Sequence, residues 1–183
     1  IGQDPYLPLI KEENNNIRIT GMAIFKDDQY VTSISMKDLY IFKALVDRNT
    51  TGLRQFILEN QDKVVLETLS SKVKYKVKTV HDRPEFTIHL TIRTKLQEFA
   101  PSAKKRQAFD KKKYQKQIKQ QLENNALTIV SQFQKHKVDP LGLGAKYKEH
   151  IREFNEKQWN QDYPTVKIHV NVDLEIIQTG SVD

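Results

Sequence analysis

The chain has 183 residues, 38% of them hydrophobic and 29% charged, the proportions of a folded domain large enough to bury a core. No run approaches the roughly 18 uninterrupted apolar residues of a membrane-spanning helix, and the lack of cysteine excludes a disulfide framework, a thiolate metal site and a thiol nucleophile. The formal charge of +7 is local: segment 104–119 carries eight basic residues (Lys104, Lys105, Arg106, Lys111, Lys112, Lys113, Lys116 and Lys119) against one acid, Asp110, so the remainder is formally neutral.

An opening at Ile1, without a Met or a charged-then-apolar leader, reads as a fragment or processed product whose targeting signal would lie upstream. Residues 1–16 hold Pro5, Pro8 and the run Asn14-Asn15-Asn16 with little periodicity, the features of a linker or the tail of a preceding domain. The folded domain is expected to span 17–183. Ile17 to Phe25 and Tyr30 to Ile34 are β-rich and separated by Asp27-Asp28-Gln29, which predicts a hairpin. Ser35 with Asp38 three residues later is a capping-box pattern, opening a helix through Leu39, Phe42 and Leu45 that ends near Asp47. Leu53 to Leu58 is assigned as a short strand.

From Lys72 the pattern alternates, with Val73, Tyr75 and Val77 on one face and Lys72, Lys74, Lys76 and Lys78 on the other, the period of a half-buried strand. After His81-Asp82-Arg83-Pro84 the alternation resumes with Phe86, Ile88, Leu90, Ile92 and Leu96 inward, so the two runs form a long hairpin. Val166 to Ile176 is a third strand of the same kind, and one-faced alternation points to an antiparallel sheet. Between the second and third runs, Tyr114, Ile118, Leu122, Ile129 and Phe133, with Leu127 and Val130, mark an amphipathic helix from about Asp110 to His136. The segment Asp139-Pro140-Leu141-Gly142-Leu143-Gly144 then breaks the chain before a shorter helix carrying Tyr147, Ile151 and Phe154. The expected fold is α+β: an antiparallel β-sheet of long amphipathic strands covered on one face by the long helix, with shorter helices beside it.

Enzymatic constellations are not found. The five histidines (His81, His89, His136, His150 and His169) have no zinc-site or triad spacing, although His89 and His169 sit on polar strand faces that neighbouring strands would bring together. Gly142 and Gly144 follow a helix and lack the residues that complete a phosphate loop, so they read as a structural turn. No serine has the flanking glycines of a nucleophile elbow, and Asn49-Thr50-Thr51 as a glycosylation acceptor is given no function. No catalytic, cofactor-binding or metal-binding residue is assigned. The lysine run lies on the first turns of a helix, where the dipole disfavours cations, so helix stability does not explain it. It is either a solvated face, a contact for anionic lipid or an acidic protein, or a nucleic-acid surface. The last needs stacking aromatics, and only Phe109 and Tyr114 are near, Tyr114 being in the apolar stripe.

The ordered motifs resemble the C-terminal region of the C-subunit lipoproteins of bacterial spore germinant receptors. They are Gly21-Met22-Ala23-Ile24-Phe25-Lys26-Asp27-Asp28 before a short strand and helix; Gln134 to Gly144 at the end of the long helix; and Trp159, Tyr163-Pro164, the alternating strand and Thr179-Gly180. Tyr163 stands where this family more often has Phe. The resemblance implies a non-catalytic scaffold or interaction module without cofactors, required for germination in response to nutrients. It also implies A-type and B-type membrane subunits as partners, no nucleic acid, and a place on the outer face of the spore inner membrane, held by an upstream lipidated cysteine that this chain lacks. Gly21, Gly142 and Gly144 carry over as turn or close-approach positions, and Trp159 and Pro164 as packing and strand entry. The alternative is a soluble basic nucleic-acid-binding domain using the Lys104–Lys119 cluster.

Overall fold

In the computed structural model the described residues are 2–47, 50–81, 83–102 and 108–177. Lys104, Lys105, Arg106, Asn49, Asp82, Thr179 and Gly180 lie outside them. The alternating runs give the two longest elements, β5 (Lys63–Val80) and β6 (Arg83–Ala100), paired antiparallel from Lys63 opposite Ala100 to Val80 opposite Arg83. At about 3.3 Å per residue the hairpin is some 60 Å long. Strand β4 (Gly52–Ile57) adds to one end of β5, and β7 (Lys167–Ile177) lies along β6, giving the sheet order β4-β5-β6-β7.

One pairing departs from the expected antiparallel sheet: β7 runs parallel to β6, Phe86 opposite Ile168 and Leu90 opposite Val172. The connection explains it. Chain leaving β6 returns along helix α2 (Lys111–His136) before entering β7, and a parallel pair requires such a crossover. One-faced alternation reports which side is wet and is the same for either strand direction.

Residues 6–13, expected within a linker, form strand β1 (Tyr6–Glu13), paired with β2 (Asn16–Lys26), which in turn pairs with β3 (Gln29–Ser35) in a second, three-stranded sheet. The asparagine run makes the turn: Asn14 (φ 53°) and Asn15 (φ 59°) are both left-handed, as a two-residue hairpin turn requires and asparagine tolerates. No periodicity announces β1, because the distal hairpin extends beyond β3 and leaves both of its faces in solvent; Ile10, Ile17 and Ile19 are 64%, 76% and 48% exposed. Helix α1 (Met36–Val46) follows with Ser35 at its N-cap, the hydroxyl 2.7 Å from the Asp38 carboxylate.

Helices α1 and α2 touch both sheets, and Phe42 joins the layers through edge-on contacts with Tyr6 and Phe133. The buried stripe of α2 is Tyr114, Ile118, Leu122, Ala126, Ile129, Val130 and Phe133. Leu127, expected to widen it, is 36% exposed, and Ala126 holds the inward position instead. At 1.5 Å per residue α2 is about 39 Å long, shorter than the hairpin. The remaining apolar surface is met by α3 (Leu143–His150) and α4 (Glu156–Asp162), where Trp159 packs against Phe86. The expected shorter helix is therefore two, with Ile151 and Phe154 in the connection between them. Among the described residues no helix is long and apolar enough to cross a membrane.

This packing predicts a contrast on one helix. Leu122→Ala opens a cavity under α2 and lowers the unfolding free energy by about 2–5 kcal/mol, whereas Leu127→Ala changes it by less than about 1 kcal/mol; urea denaturation of the two variants measures both.

Candidate functional site

The basic cluster is set by the first turns of α2. Asp110 caps the helix by accepting from the Lys113 amide at 3.1 Å, and Lys111, Lys112, Lys113, Lys116 and Lys119 are all exposed. Lys113 and Lys116 lie on the face opposite the buried stripe, Lys112 and Lys119 flank it, and Lys111 precedes it on the first turn, so the helix start carries five exposed lysines around its solvent-facing side. Lys119 lies 3.8 Å from Glu123, and the Lys113 ammonium stands 5.6 Å over the Tyr114 ring. The nearby aromatics are occupied: Phe99, Phe109 and Tyr114 pack together with ring centroids 5.1–5.5 Å apart, and Tyr114 is fully buried. No face of Tyr114 is left on which a base could stack.

What holds this helix end is a carboxylate absent from the sequence reading. Asp62, in the turn between β4 and β5, is 1% exposed. It accepts from the Tyr114 hydroxyl at 2.7 Å, from the Ser102 amide at 2.8 Å and from the Asn60 side chain. Burial alone would raise its pKa, but the donors hold it below the ordinary carboxylate value. The Tyr114 phenol is pushed up to about 12 by burial and by its bond to Asp62.

The far end of α2 leads into a second constellation, which brings together Gly142, Gly144, Trp159 and Pro164, four of the five positions the resemblance singled out. Lys137 closes the helix in the left-handed conformation (φ 57°). Asp139, 7% exposed, accepts from the amides of Leu143 (2.9 Å) and Gly144 (2.7 Å), so its carboxylate caps α3 from within. Gly142 sits at the N-cap with φ +64°. These amides are therefore occupied, which leaves no cradle for a phosphate. Burial raises the Asp139 pKa above its ordinary value, against the two amides that lower it. At Gly144 a Cβ would stand 2.6 Å from the Trp159 indole nitrogen, and at Gly21, in β2, 2.3 Å from the Ile34 carbonyl oxygen. Trp159 packs on Tyr147 and Tyr163. Pro164 is the second residue of a single 3-10 turn, Tyr163–Thr165, that delivers the chain to β7. The hydroxyl that distinguishes Tyr163 from phenylalanine donates to the Val138 carbonyl at 2.8 Å.

The N-terminal segment closes this hub. Asp4 accepts from the Asp139 amide at 2.6 Å, its own amide donates to the Asp139 carbonyl at 3.1 Å, and its carboxylate lies 3.2 Å from Lys26. A polar cleft of about 530 Å³ opens beside it, walled by Asp4, Lys26, Asp139, Glu156, Trp159 and Tyr163. His169 pairs with Thr87, one position of the same face away from His89, and no group of three metal-ligating side chains converges among the described residues.

A family model described as "Spore germination B3/ GerAC like, C-terminal" matches residues 20–180. The chain belongs to this family. It is 29% identical over 180 residues to spore germination protein GerQC of Bacillus cereus, covering 97% of this chain and 50% of that protein. It is 24% identical to the putative spore germination protein YfkR of Bacillus subtilis (strain 168), covering all of this chain and again 50% of the relative. The chain thus spans about half the length of these curated relatives. The crystal structure of the GerBC protein superposes with a TM-score of 0.82 over 96% of this chain and 57% of that one, at 16% identity, which shows a shared α+β fold.

Two changes probe the site. Tyr114→Phe removes a donor from buried Asp62 and costs about 1–3 kcal/mol at neutral pH. Because the folded Asp62 pKa is depressed, its contribution is present above the unfolded value of about 3.9 and is lost as pH falls through the folded one. The raised Tyr114 pKa acts at the other limit, its contribution fading as pH rises from about 10 to about 12. The stability difference between wild type and Y114F, followed by urea titration across pH, is therefore widest between these limits. Gly144→Ala forces the indole aside and destabilises by about 1–3 kcal/mol; Trp159 is the single tryptophan, so its emission reports the displacement directly.

Proposed function

We propose that this domain is a non-catalytic scaffold within the C-subunit of a spore germinant receptor, assembled with A-type and B-type membrane subunits on the outer face of the spore inner membrane. An upstream lipidated cysteine would tether the subunit, and the receptor would be needed for germination in response to nutrients. Family membership supports the germination role. The observation that carries the scaffold reading is the five-lysine surface of α2, fixed to the sheet through Tyr114 and Asp62. A tether brings such a surface within the Debye length of about 8–10 Å over which anionic headgroups attract it. The side chains then orient the domain on the bilayer, leaving the rest of its surface for protein partners. Motif residues Gly142, Gly144, Trp159 and Pro164 serve this role indirectly, by shaping the chain between the C-terminal end of α2 and the entry to β7, and Gly21 by letting β3 approach β2 closely.

The test is vesicle co-sedimentation of the domain with phosphatidylcholine vesicles and with vesicles containing phosphatidylglycerol. Binding is expected only to the anionic vesicles, falling with added salt, and each of Lys112→Glu and Lys116→Glu weakens it by at least the roughly 1 kcal/mol of a lysine at a charged surface. Equal pelleting with both vesicle types, or indifference to the substitutions, rejects the membrane-facing surface. Spores lacking the whole protein that respond normally to every nutrient would reject the receptor role separately.

A further inference from the structure

The edges of the four-stranded sheet are treated unequally. Along β7, α2 supplies partners to the open backbone: the Val172 amide donates to Glu123 at 2.9 Å, and the Gln115 side chain donates to the Leu174 carbonyl at 2.6 Å. On β4 the Ile57 carbonyl accepts from Gln121 at 2.8 Å. Strand β4, however, pairs only with Lys63–Thr68 of β5. From Lys72 to Val80 the main chain of β5 bonds to β6 on one side and, among the described residues, receives no other main-chain hydrogen bond. An open stretch of this length would ordinarily invite strand pairing.

Two features of this edge select what is able to pair with it. Val73, Tyr75 and Val77 border a mostly apolar groove of about 490 Å³ along this edge, which Phe86, Lys146 and Glu149 complete and Lys74 and Lys76 also line. On the outer side Lys72, Lys74, Lys76 and Lys78 form an exposed row. Lys78 pairs with Glu85 at 2.9 Å, but the residues facing Lys72, Lys74 and Lys76 on β6 are Thr91, His89 and Thr87, so no carboxylate stands opposite them. A row of lysines alone would serve to repel edge-to-edge pairing. A groove at alternate-residue spacing beside that row also receives side chains from a strand that the lysines attract. A second copy of β5 would set lysine against lysine and is disfavoured.

We infer that the free edge of β5, Lys72 to Val80, accepts by strand addition an extended acidic segment of a partner protein in which apolar residues alternate with carboxylates. The apolar side chains enter the groove, the carboxylates meet Lys72, Lys74 and Lys76, and main-chain bonds supply the register. These lysines are distinct from those of α2, so peptide binding and vesicle binding succeed or fail independently.

The probe is a fluorescein-labelled nonapeptide alternating glutamate and valine, compared by anisotropy with a peptide of the same composition in two blocks and with one alternating lysine and valine. Saturable binding of the first is expected, weakened about tenfold or more by the double substitution Lys74→Glu, Lys76→Glu, with amide-exchange protection gained at Lys72–Val80. Both substituted positions are exposed, and an unchanged urea midpoint verifies the variant's fold. The inference is overturned if the alternating acidic peptide does not bind, if the block peptide binds as tightly, or if protection falls on α2 instead of β5. Self-association of the domain alone that the same substitutions abolish would also overturn it, by making a second copy the occupant.

Discussion

The placement of α2 rests on a buried carboxylate with satisfied hydrogen bonds. Asp62 could not be ionised inside the protein without donors, since an unpaired buried charge is strongly unfavourable. Tyr114, the Ser102 amide and Asn60 supply them from three parts of the chain. The consequence is geometric: the first turn of α2 is tied to the β4–β5 turn, so the direction of the helix over the sheet is set at one end. Gln132, which donates to Thr32, and Gln134, which donates to the Tyr163 and Val166 carbonyls, fix the other end. Between these points the polar side chains of α2 reach the backbone of β7, and its apolar side chains fill the space beneath.

Asp139 shows the same principle with the opposite electrostatic outcome. It is also buried and also accepts main-chain amides, yet Asp4 adds a like charge nearby and burial prevails, so its pKa moves up where that of Asp62 moves down. The desolvation of Asp139 is offset in part by the Leu143 and Gly144 amides, and through these bonds and those of its main chain to Asp4 the residue ties the start of α3 to the N-terminal segment. Gly142 and Gly144 are needed there for different reasons, one for a left-handed N-cap and the other for absence of a Cβ beneath the indole. Their motif therefore describes a joint between helices.

The elements most legible in the sequence were those with one wet and one dry face. Val73, Tyr75 and Val77, or Tyr114, Ile118 and Leu122, declare their period because water and core lie on opposite sides. β1 has solvent on both faces of its distal half, so Ile10 and Lys11 carry no contrast to read. Alternation in β7 located the strand and its inward residues, but direction depends on the path of the connection, which no residue of β7 encodes. For the candidate surface, the lysines were visible as composition. Asp62 was not, because its partners Ser102 and Tyr114 lie 40 and 52 residues away and an isolated aspartate beside Asn60 and Gln61 reads as a turn.

The parallel β6–β7 pairing also bears on how the molecule is built during synthesis. Arg93 and Glu175, joined at 2.8 Å across these strands, are separated by 82 positions. The β5–β6 hairpin, closed by its short turn, forms from neighbours in sequence, whereas β7 is added only after α2, α3 and α4 have emerged. Non-local closure of this kind is slow. Until it happens the outer edge of β6 and the side of α2 that faces β7 lack their cover, so the eleven-residue strand β7 closes a part of the core that the earlier elements leave open.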